Sequence, residues 1–320
     1  MKKILLFGVL FDYQAEIKAA APEYEVIFVK TEEEAAVHLP EAEIFVDWQR
    51  YLDNYELAGK TALKWVQLPS AGADKMPLAS FKEHGVVITS TSGMHAMPIT
   101  EYVFSMMLAF ARELHVSMRN QQNHYWDSKS RAKGGLSMLN GKTIGVLGAG
   151  AIGAGVAKMA AAFNMRVIGC RRSGEALPGY EAMYSQAQLT EFLPQCDYVV
   201  NILPSTPETY HTMDDKAFDA MKPGAYYVSA GRGPTTSNDA LMRALESGRL
   251  RGAGLDVTDP EPLNKESPLW DLENVIITPH NAGYRPDNAE CILEVFLENL
   301  KSYLENGKPC RNIVNLDLAY

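Results

Sequence analysis

The chain has 320 residues, which is too long for one ordinary hydrophobic core and therefore predicts two domains. Apolar residues make up 47% of the sequence, a share typical of globular proteins that excludes an intrinsically disordered chain. The formal net charge is −9 with acidic and basic residues interspersed, which argues against nucleic acid or a membrane surface as the main partner.

The sequence has no pattern typical of export or of membrane insertion. The first apolar run, Ile4–Phe7, is too short for a signal peptide, and no window of about 18 apolar residues occurs. The cysteines are scattered, with no CxxC pair and no neighbouring histidine cluster: Cys170, Cys196, Cys291 and Cys310. We therefore expect a cytoplasmic protein with reduced thiols and no metal site.

The first hundred residues alternate short apolar runs with amphipathic stretches. Five runs are predicted strands: Lys3–Phe7, Val26–Val29, Ile44–Val46, Trp65–Leu68 and Val86–Thr89. Because helical segments separate the strands, they predict a parallel sheet. A long helix is predicted next, from apolar residues at three- and four-residue steps: Ile99, Tyr102, Val103, Met106, Met107, Phe110 and Leu114.

A polar arm over residues 120–140 separates this half from a second alternating series. Six more strands are predicted: Thr143–Leu147, Arg166–Ile168, Tyr198–Ile202, Tyr226–Val228, Ala253–Asp256 and Val275–Ile277. One helix is expected to begin near Ser237 and to end at Gly248. The tail predicts a last amphipathic helix, with one apolar side: Ile292, Val295, Phe296, Leu300 and Tyr303.

The segment from Gly148 to Gly153 fits the pattern G-x-G-x-x-G between a predicted strand and a predicted helix. In such a loop the first glycine makes the turn, Gly150 lets the backbone approach a pyrophosphate, and the third lets helix and strand pack closely. The amides at the helix start, including those of Ala151 and Ile152, then bind phosphate. This context favours a dinucleotide site over a plain glycine-rich turn.

The nature of the dinucleotide is predicted from the end of the next strand. An acidic residue is expected there to hold the ribose hydroxyls, but Arg171, Arg172 and Ser173 occupy the position. A carboxylate would repel a 2′-phosphate, whereas two guanidinium groups can bind one. NADP is therefore favoured, with NAD possible; the alternative is a solvated arginine pair without a cofactor role.

Three predicted strands of the second half are followed directly by residues whose side chains can take part in catalysis. Arg232 follows one strand, Asp256 closes the next and Glu261 lies in the loop after it, and His280 follows the last. Ligands of open parallel sheets bind outside the carboxyl ends of the strands. We therefore expect these four side chains at the edge that carries the glycine loop.

At this point the sequence resembles the D-isomer-specific 2-hydroxyacid dehydrogenase family, in particular its glyoxylate, hydroxypyruvate and related 2-keto acid reductases. The matching motifs occur in order: Gly148–Gly153, Leu203–Thr209, Ser229–Gly233, Gly254–Val257 with Glu261–Pro262, and Thr278–His280. Arg171 departs from the family pattern, which usually has Asp there.

The resemblance implies the role of each site residue. Arg232 pairs with the substrate carboxylate and polarises the carbonyl, His280 donates a proton, and Glu261 orients the imidazole. Ser70, Ala71 and Gly72, in the loop 68–74, receive the carboxylate. Further cofactor contacts are implied for several residues: Leu203, Pro204, Ser205, Ala230, Gly231, Arg232, Asp256, His280 and Ala282. His95 is a further candidate for contact with substrate.

The expected fold is α/β with two doubly wound parallel-sheet domains. Residues 1–98 and 284–320 are predicted to form a flavodoxin-like substrate domain, into which an NAD(P)-binding Rossmann domain, 99–283, is inserted. The expected activity is NADPH-linked reduction of a small 2-keto acid to the D-2-hydroxy acid. The resemblance also implies a homodimer, built by the long helix and the arm around Trp126. The alternatives are an NAD(P)-sensing, corepressor-like binding protein and a dehydrogenase for a larger or phosphorylated acid.

Overall fold

The computed structural model describes residues 1–46, 62–73, 76–127 and 136–317. Asp74, which belongs to the predicted substrate loop, and residues 128–135 of the predicted arm lie outside the described residues. The chain divides into two compact units, one formed by Met1–Met94 with Arg285–Tyr320 and the other by His95–Tyr284. Within the described part, no helix combines the length and apolar character that crossing a membrane requires.

The first unit contains a parallel sheet that confirms the strands predicted for this half. Its strands are β1 (Lys2–Phe7), β2 (Tyr24–Val29), β3 (Ala42–Val46), β4 (Trp65–Gln67) and β5 (Val87–Thr89). They pair in the order β2-β1-β3-β4-β5, which is the flavodoxin-like arrangement. Among the described residues of this unit, three helices lie between the strands: α1 (Gln14–Ala20), α2 (Glu32–His38) and α3 (Leu78–Glu83).

The long helix predicted to run to Leu114 is interrupted, so that prediction is wrong at its end. The apolar face lies on α4 (Ala96–Ala111), where Met107 is fully buried. Glu113 then adopts a left-handed backbone conformation with φ of 51°, which an α-helix does not tolerate, and α5 (Leu114–Gln122) begins after it. Leu114 is consequently 50% exposed and does not extend the buried face.

The second unit is built on a seven-stranded parallel sheet. Its strands are β6 (Thr143–Leu147), β7 (Arg166–Cys170), β8 (Ala182–Tyr184), β9 (Tyr198–Asn201), β10 (Ala225–Ser229), β11 (Leu250–Leu255) and β12 (Val275–Ile277). The described helices that follow β6 in this unit are α6 (Ala151–Ala162), α7 (Leu189–Phe192), α8 (Asp215–Ala220) and α9 (Asn238–Glu246). The six predicted strands are confirmed, whereas β8 was not predicted.

The order of these strands indicates where in the sheet a nucleotide-binding crevice lies. It is β12-β11-β10-β9-β6-β7-β8, with every pair parallel. The chain winds outwards from β6 in one direction to β8 and in the other to β12, so the connections reverse between β6 and β9. In doubly wound sheets, dinucleotides bind outside the carboxyl ends of the strands at such a switch point.

Apolar residues cover this sheet on both faces, as a parallel sheet requires. Val200 packs on one face with residues of α4 and α6, while the adjacent Val199 packs on the other with residues of α8 and α9. Tyr226 and Tyr227 alternate in the same way on β10. The loops that follow the central strands therefore start from a buried frame, whereas the edge strands β8 and β12 are only partly buried.

The tail returns to the first unit as α10 (Asn288–Asn306), as its apolar spacing predicts. Ile292, Phe296 and Leu300 are fully buried and pack with Ile4 and Trp65 of the first sheet. The indole ring of Trp65 stacks on the ring of Phe296 at a centroid distance of 5.6 Å. The first unit therefore contains segments from both ends of the chain.

Candidate active site

The glycine loop turns sharply between β6 and α6. Gly148 has φ of 96°, a conformation that favours glycine, and a Cβ there would lie 2.8 Å from the carbonyl oxygen of Ile202. The amide of Gly148 donates to Cys170 O at 2.9 Å, and that of Gly150 to Gly148 O at 2.8 Å. The turn is therefore fixed by the strands on both sides of β6.

The start of α6 fits the phosphates of a dinucleotide. No side chain caps the helix, and its own bonding begins where Ala154 N donates to Gly150 O at 2.9 Å. The amides of Ala151, Ile152 and Gly153 therefore have no intrahelical acceptor, and they lie at the positive end of the helix dipole. A Cβ on Gly150 would meet no atom of the described residues within 4 Å, so the backbone there leaves space of the kind that a pyrophosphate fills.

The third glycine of the loop, Gly153, leaves space mainly for the side chain of Tyr180 and less for strand β6. A Cβ on Gly153 would lie 2.8 Å from the hydroxyl oxygen of Tyr180 but 3.4 Å from Val146 of β6. That hydroxyl is buried and has no hydrogen-bond partner among the described residues. Burial also raises the pKa of Tyr180 well above its ordinary value, which keeps the hydroxyl protonated.

Arg171, Arg172 and Ser173 lie at the carboxyl end of β7, where the sequence predicts the 2′-phosphate site. The amide of Arg171 donates to Tyr184 O at 3.0 Å, which attaches the start of this loop to β8. The Arg171 side chain is 33% exposed, so the surrounding chain partly shields its guanidinium group from water. A partly buried guanidinium binds an anion more strongly than a fully solvated one.

The segment that begins at Leu203 lies between the loops that follow β6 and β10. A Cβ on Gly231 would lie 2.5 Å from Leu203 O, and Gly148 approaches the same backbone from the other side. Thr209 Oγ1 donates to Pro204 O at 2.6 Å and fixes the following turn. The predicted cofactor residues Leu203, Pro204, Ser205, Ala230 and Gly231 therefore belong to adjacent loops.

Asn201 at the end of β9, which is not among the predicted site residues, connects these loops. Its side chain is fully buried; Nδ2 donates to Tyr227 OH at 2.8 Å and to Thr235 Oγ1 at 2.9 Å. Its Oδ1 accepts from Leu203 N at 3.1 Å. A polar residue that closes an apolar strand at the functional edge was the signal that could have identified it.

The loop of Arg232 packs closely on the loop that carries Glu261. A Cβ on Gly233 would lie 1.8 Å from Thr258 O, so only glycine permits this backbone contact. Arg232 Nη1 donates to Gly231 O at 3.0 Å, which directs the guanidinium group back along its own loop. Arg232 and Glu261 are therefore presented by loops in direct contact.

Glu261 and His280 form a close pair. Nδ1 of His280 lies 2.6 Å from Oε1 of Glu261, and the two side chains are 45% and 36% exposed. Since a carboxylate only accepts hydrogen bonds, Nδ1 carries a proton, and Nε2 is the nitrogen that can exchange one. The sequence-predicted acid and its orienting carboxylate are thus brought together.

Asp256 fixes the backbone around His280. The Asp256 carboxylate is 3% exposed; Oδ1 accepts from Thr278 Oγ1 at 2.6 Å and Asn281 N at 3.0 Å, and Oδ2 from Ala282 N at 2.9 Å. The backbone oxygen of Asp256 also accepts from His280 N at 2.9 Å. His280 has φ of 52°, a disfavoured conformation that these bonds hold in place.

Two residues of α4 extend this support. The Thr278 hydroxyl has one proton, which it donates to Asp256, so the Tyr102 hydroxyl donates to Thr278 Oγ1 at 2.9 Å. Burial raises the pKa of Tyr102 well above its ordinary value and keeps that donor protonated. His95, at the start of α4, donates from Nδ1 to Gly283 O at 2.9 Å; its contact with substrate stays a prediction.

Comparison with known proteins shows to which family this chain is similar. Residues 104–282 match the family described as D-isomer specific 2-hydroxyacid dehydrogenase, NAD binding domain. The glyoxylate reductase of Thermococcus gammatolerans is 32% identical over 254 residues, which cover 78% of this chain and 75% of that protein. The chain belongs to the D-isomer specific 2-hydroxyacid dehydrogenase family. The resemblance seen in the sequence is thereby confirmed, and the dehydrogenase is an oxidoreductase with an NAD(P)-binding domain.

Solved structures confirm the fold of the dehydrogenase. A D-isomer specific 2-hydroxyacid dehydrogenase family protein from Aeromonas salmonicida has a TM-score of 0.86 at 30% identity, and the match covers 99% of both chains. An NADPH-dependent glyoxylate/hydroxypyruvate reductase from Sinorhizobium meliloti, in complex with NADP and sulfate, has a TM-score of 0.81 at 26% identity over 100% of both chains. The family acts on small 2-hydroxy or 2-keto acids.

Proposed function

We propose that this dehydrogenase reduces a small 2-keto acid, of the size of glyoxylate or hydroxypyruvate, to the D-2-hydroxy acid with NADPH. The main support is the 2.6 Å distance between His280 Nδ1 and Glu261 Oε1, since the loop that carries Glu261 is in contact with that of Arg232. Bound NADPH would supply the hydride that reaches the carbonyl carbon. The residues of the chain supply the proton, the anchor for the carboxylate and the rigid frame.

His280 is the proton donor in this proposal. Glu261 accepts a hydrogen bond from Nδ1–H and fixes the orientation of the ring, so the transferable proton is carried on Nε2. In reduction, this proton goes to the oxygen of the former carbonyl as it becomes a hydroxyl; in oxidation, the neutral ring takes it back. Loss of Glu261 should therefore lower the rate without removing the proton donor.

Arg232 is the anchor for the substrate. Its guanidinium group can form charge-assisted hydrogen bonds to the substrate carboxylate and also stabilise negative charge on the adjacent carbonyl oxygen. That Ser70, Ala71 and Gly72 receive a substrate carboxylate stays a prediction. Asp256 and Ala282 belong to the frame that holds His280.

NADPH is preferred over NADH in this proposal because of the residues that follow β7. Arg171 and Arg172 offer cations, and Ser173 a hydroxyl, to a 2′-phosphate, where an acidic residue would repel it. The similar reductase from Sinorhizobium meliloti, whose complex contains NADP, supports this assignment. The amides at the start of α6 would take the pyrophosphate.

The experiment that tests the function is a steady-state screen of NADPH and NADH oxidation. Glyoxylate, hydroxypyruvate, pyruvate and branched 2-keto acids are compared, and chiral chromatography identifies the product. We expect turnover with NADPH and a small acid, giving the D-product. NADPH binding without turnover of any of these acids would instead support the binding-protein alternative, and a wide preference for NADH would contradict the cofactor assignment.

Replacement of His280 by Ala separates chemistry from binding. We expect kcat to fall by about 10²–10⁴-fold, the usual contribution of a general acid, while the Kd of NADPH changes little. His38→Ala, in α2, is the matched control and should leave both values unchanged. An unaltered kcat in His280→Ala would remove this residue from the mechanism.

We also propose a homodimer, because the segment around α5 exposes a run of large apolar side chains. Met118 is 66% exposed, Tyr125 58% and Trp126 90%. Exposed apolar patches of this kind mark interaction surfaces. One chain has a mass of 35.4 kDa, and light scattering should give twice this value. Trp126→Ser should shift the equilibrium from the dimer towards the single chain.

A further inference from the structure

The arginine pair after β7 is not a simple cationic pocket, because a carboxylate of the same loop adjoins it. Oε2 of Glu175 lies 4.0 Å from Nη2 of Arg171 and accepts from Oγ of Ser173 at 3.2 Å. The backbone amide of Glu175 also donates to that Ser173 oxygen at 3.4 Å. Glu175 therefore contacts two of the three residues predicted to hold the 2′-phosphate.

The second arginine has an acidic neighbour as well. Glu208 lies in the segment after β9, and its pKa is lowered by backbone and Thr206 hydrogen bonds and further by the charge of Arg172. Gln186 Nε2 donates to Glu208 O at 2.8 Å, which fixes this segment beside the chain that follows β8. Glu175 thus forms an ion pair with one guanidinium of the predicted phosphate site, and the charges of Glu208 and Arg172 attract each other at the second.

We propose that Glu175 is a specificity-determining residue that reduces the discrimination between NADPH and NADH. This inference rests on the proposed function, since it takes Arg171 and Ser173 as ligands of the 2′-phosphate. The carboxylate of Glu175 accepts a hydrogen bond from the Ser173 hydroxyl and forms an ion pair with Arg171, and these are two of the groups that the phosphate needs. Binding of NADPH must displace this carboxylate, whereas binding of NADH need not.

With NADH the same carboxylate has a favourable role. Dinucleotide sites that select NAD hold the ribose 2′-hydroxyl with an Asp or Glu, and Glu175 supplies such an acceptor among the residues of the adenosine site. Arg171 and Ser173 keep the carboxylate oriented in the absence of a phosphate. Arg171 thus favours NADPH, and Glu175 restores part of the affinity for NADH.

The size of the effect follows from the exposure of the carboxylate. The Glu175 side chain is 74% exposed, so water and salt screen its interactions with Arg171 and with an incoming phosphate. Pairs of this kind change binding constants by about two- to fivefold. We therefore expect Glu175→Gln to bind a 2′-phosphate about two- to fivefold more tightly at low salt, and the gain to shrink at high salt.

The experiment measures binding separately from turnover. Calorimetry gives the Kd of adenosine 2′,5′-bisphosphate and of 5′-AMP, which differ only in the 2′-phosphate, for the wild type, Glu175→Gln, Arg171→Ala and Glu181→Gln. The last is the matched control, because Glu181 also pairs with an arginine, Arg166 at 2.8 Å, but at the amino-terminal ends of β7 and β8. The ratio of the KM values for NADPH and NADH is measured in parallel.

The expected result is a lower Kd for the bisphosphate in Glu175→Gln, with an unchanged or higher Kd for 5′-AMP and no change in Glu181→Gln. A bisphosphate Kd within experimental error of the wild type in Glu175→Gln, or an equal gain in Glu181→Gln, overturns the proposal. If Arg171→Ala weakens the bisphosphate while Glu175→Gln has no effect, only this inference fails. If Arg171→Ala also has no effect, the proposed NADP site fails with it.

Discussion

Replacement of Asp256 by Asn is the sharpest test of how the His280 loop is held. The buried carboxylate accepts three hydrogen bonds with two oxygens, from Thr278, Asn281 and Ala282. An amide has one oxygen and one NH2 group, so in either orientation its NH2 faces at least one donor. One or two charge-assisted bonds are lost in a buried site, which costs about 2–4 kcal/mol of unfolding free energy.

Activity should fall for the same reason. Without its anchors the backbone around His280 can leave the left-handed conformation, and the imidazole loses its fixed position beside Glu261. Displacements of about 1 Å in a reacting group reduce rates by up to about 10²-fold. We expect kcat of Asp256→Asn to fall about 10- to 100-fold, while the Kd of adenosine 2′,5′-bisphosphate, which reports the adenosine end, stays close to that of the wild type.

Thermal unfolding and steady-state kinetics measure both effects. Asp271→Asn is the matched control, since the same chemical change at an exposed position should alter neither Tm nor kcat. Tyr102→Phe removes only the far end of the hydrogen-bond chain and should give a smaller loss of both. A wild-type Tm and kcat in Asp256→Asn would refute the idea that this carboxylate holds the loop.

Three further predictions concern buried polar groups away from the reacting side chains. Tyr180→Phe should be neutral or stabilising by up to about 2 kcal/mol in denaturant titrations, because its buried hydroxyl has no partner among the described residues; a clear loss would reveal one. Gly153→Ala should be destabilising, and Tyr180→Phe should relieve part of that loss in the double variant, because the hydroxyl lies where the new methyl group would be. A buried carboxylate oxygen of Glu43 accepts hydrogen bonds from three side chains: Lys2, Tyr24 and Tyr303. Burial raises the pKa of Glu43, but these bonds outweigh it and hold the pKa below its ordinary value. The stabilisation is therefore present above the ordinary pKa and lost as the pH falls through the lowered one. Glu43→Gln should lose about 1–3 kcal/mol at pH 7, and its Tm should approach that of the wild type below about pH 4.

The fold could be predicted largely because buried strands leave a local pattern. Val199 and Val200 belong to one apolar run because each packs on a different face of the sheet. Strand β8 could not be found in this way, because it has only three residues and none of them is β-branched. The end of α4 was missed because Leu114 keeps the helical spacing although Glu113 reverses the backbone before it.

Each predicted site residue lies at or after the carboxyl end of a strand, and this position can be seen in the sequence itself. Arg232, Asp256 and His280 each come at the end of a strand or directly after one, and parallel pairing brings those ends to one edge. The supporting contacts are different, because they join residues far apart in sequence. Tyr102 and Thr278 are separated by 176 positions, and Tyr102 has the same spacing as the apolar residues of its helix. No local pattern distinguishes such a residue from an ordinary core tyrosine.

The reacting residues, which the sequence identifies, and the supporting residues, of which the sequence misses several, also differ in burial. The pair of His280 and Glu261 remains roughly half exposed, because a proton donor must reach substrate and solvent. Asp256 and Asn201 are almost completely buried, because positioning requires hydrogen bonds that water cannot replace. Substitution of an exposed reacting residue should therefore reduce kcat with little change in Tm, whereas substitution of a buried support should reduce both. The loss of kcat relative to the loss of Tm therefore assigns each residue at the carboxyl edge of the sheet either to the reacting residues or to the buried supports.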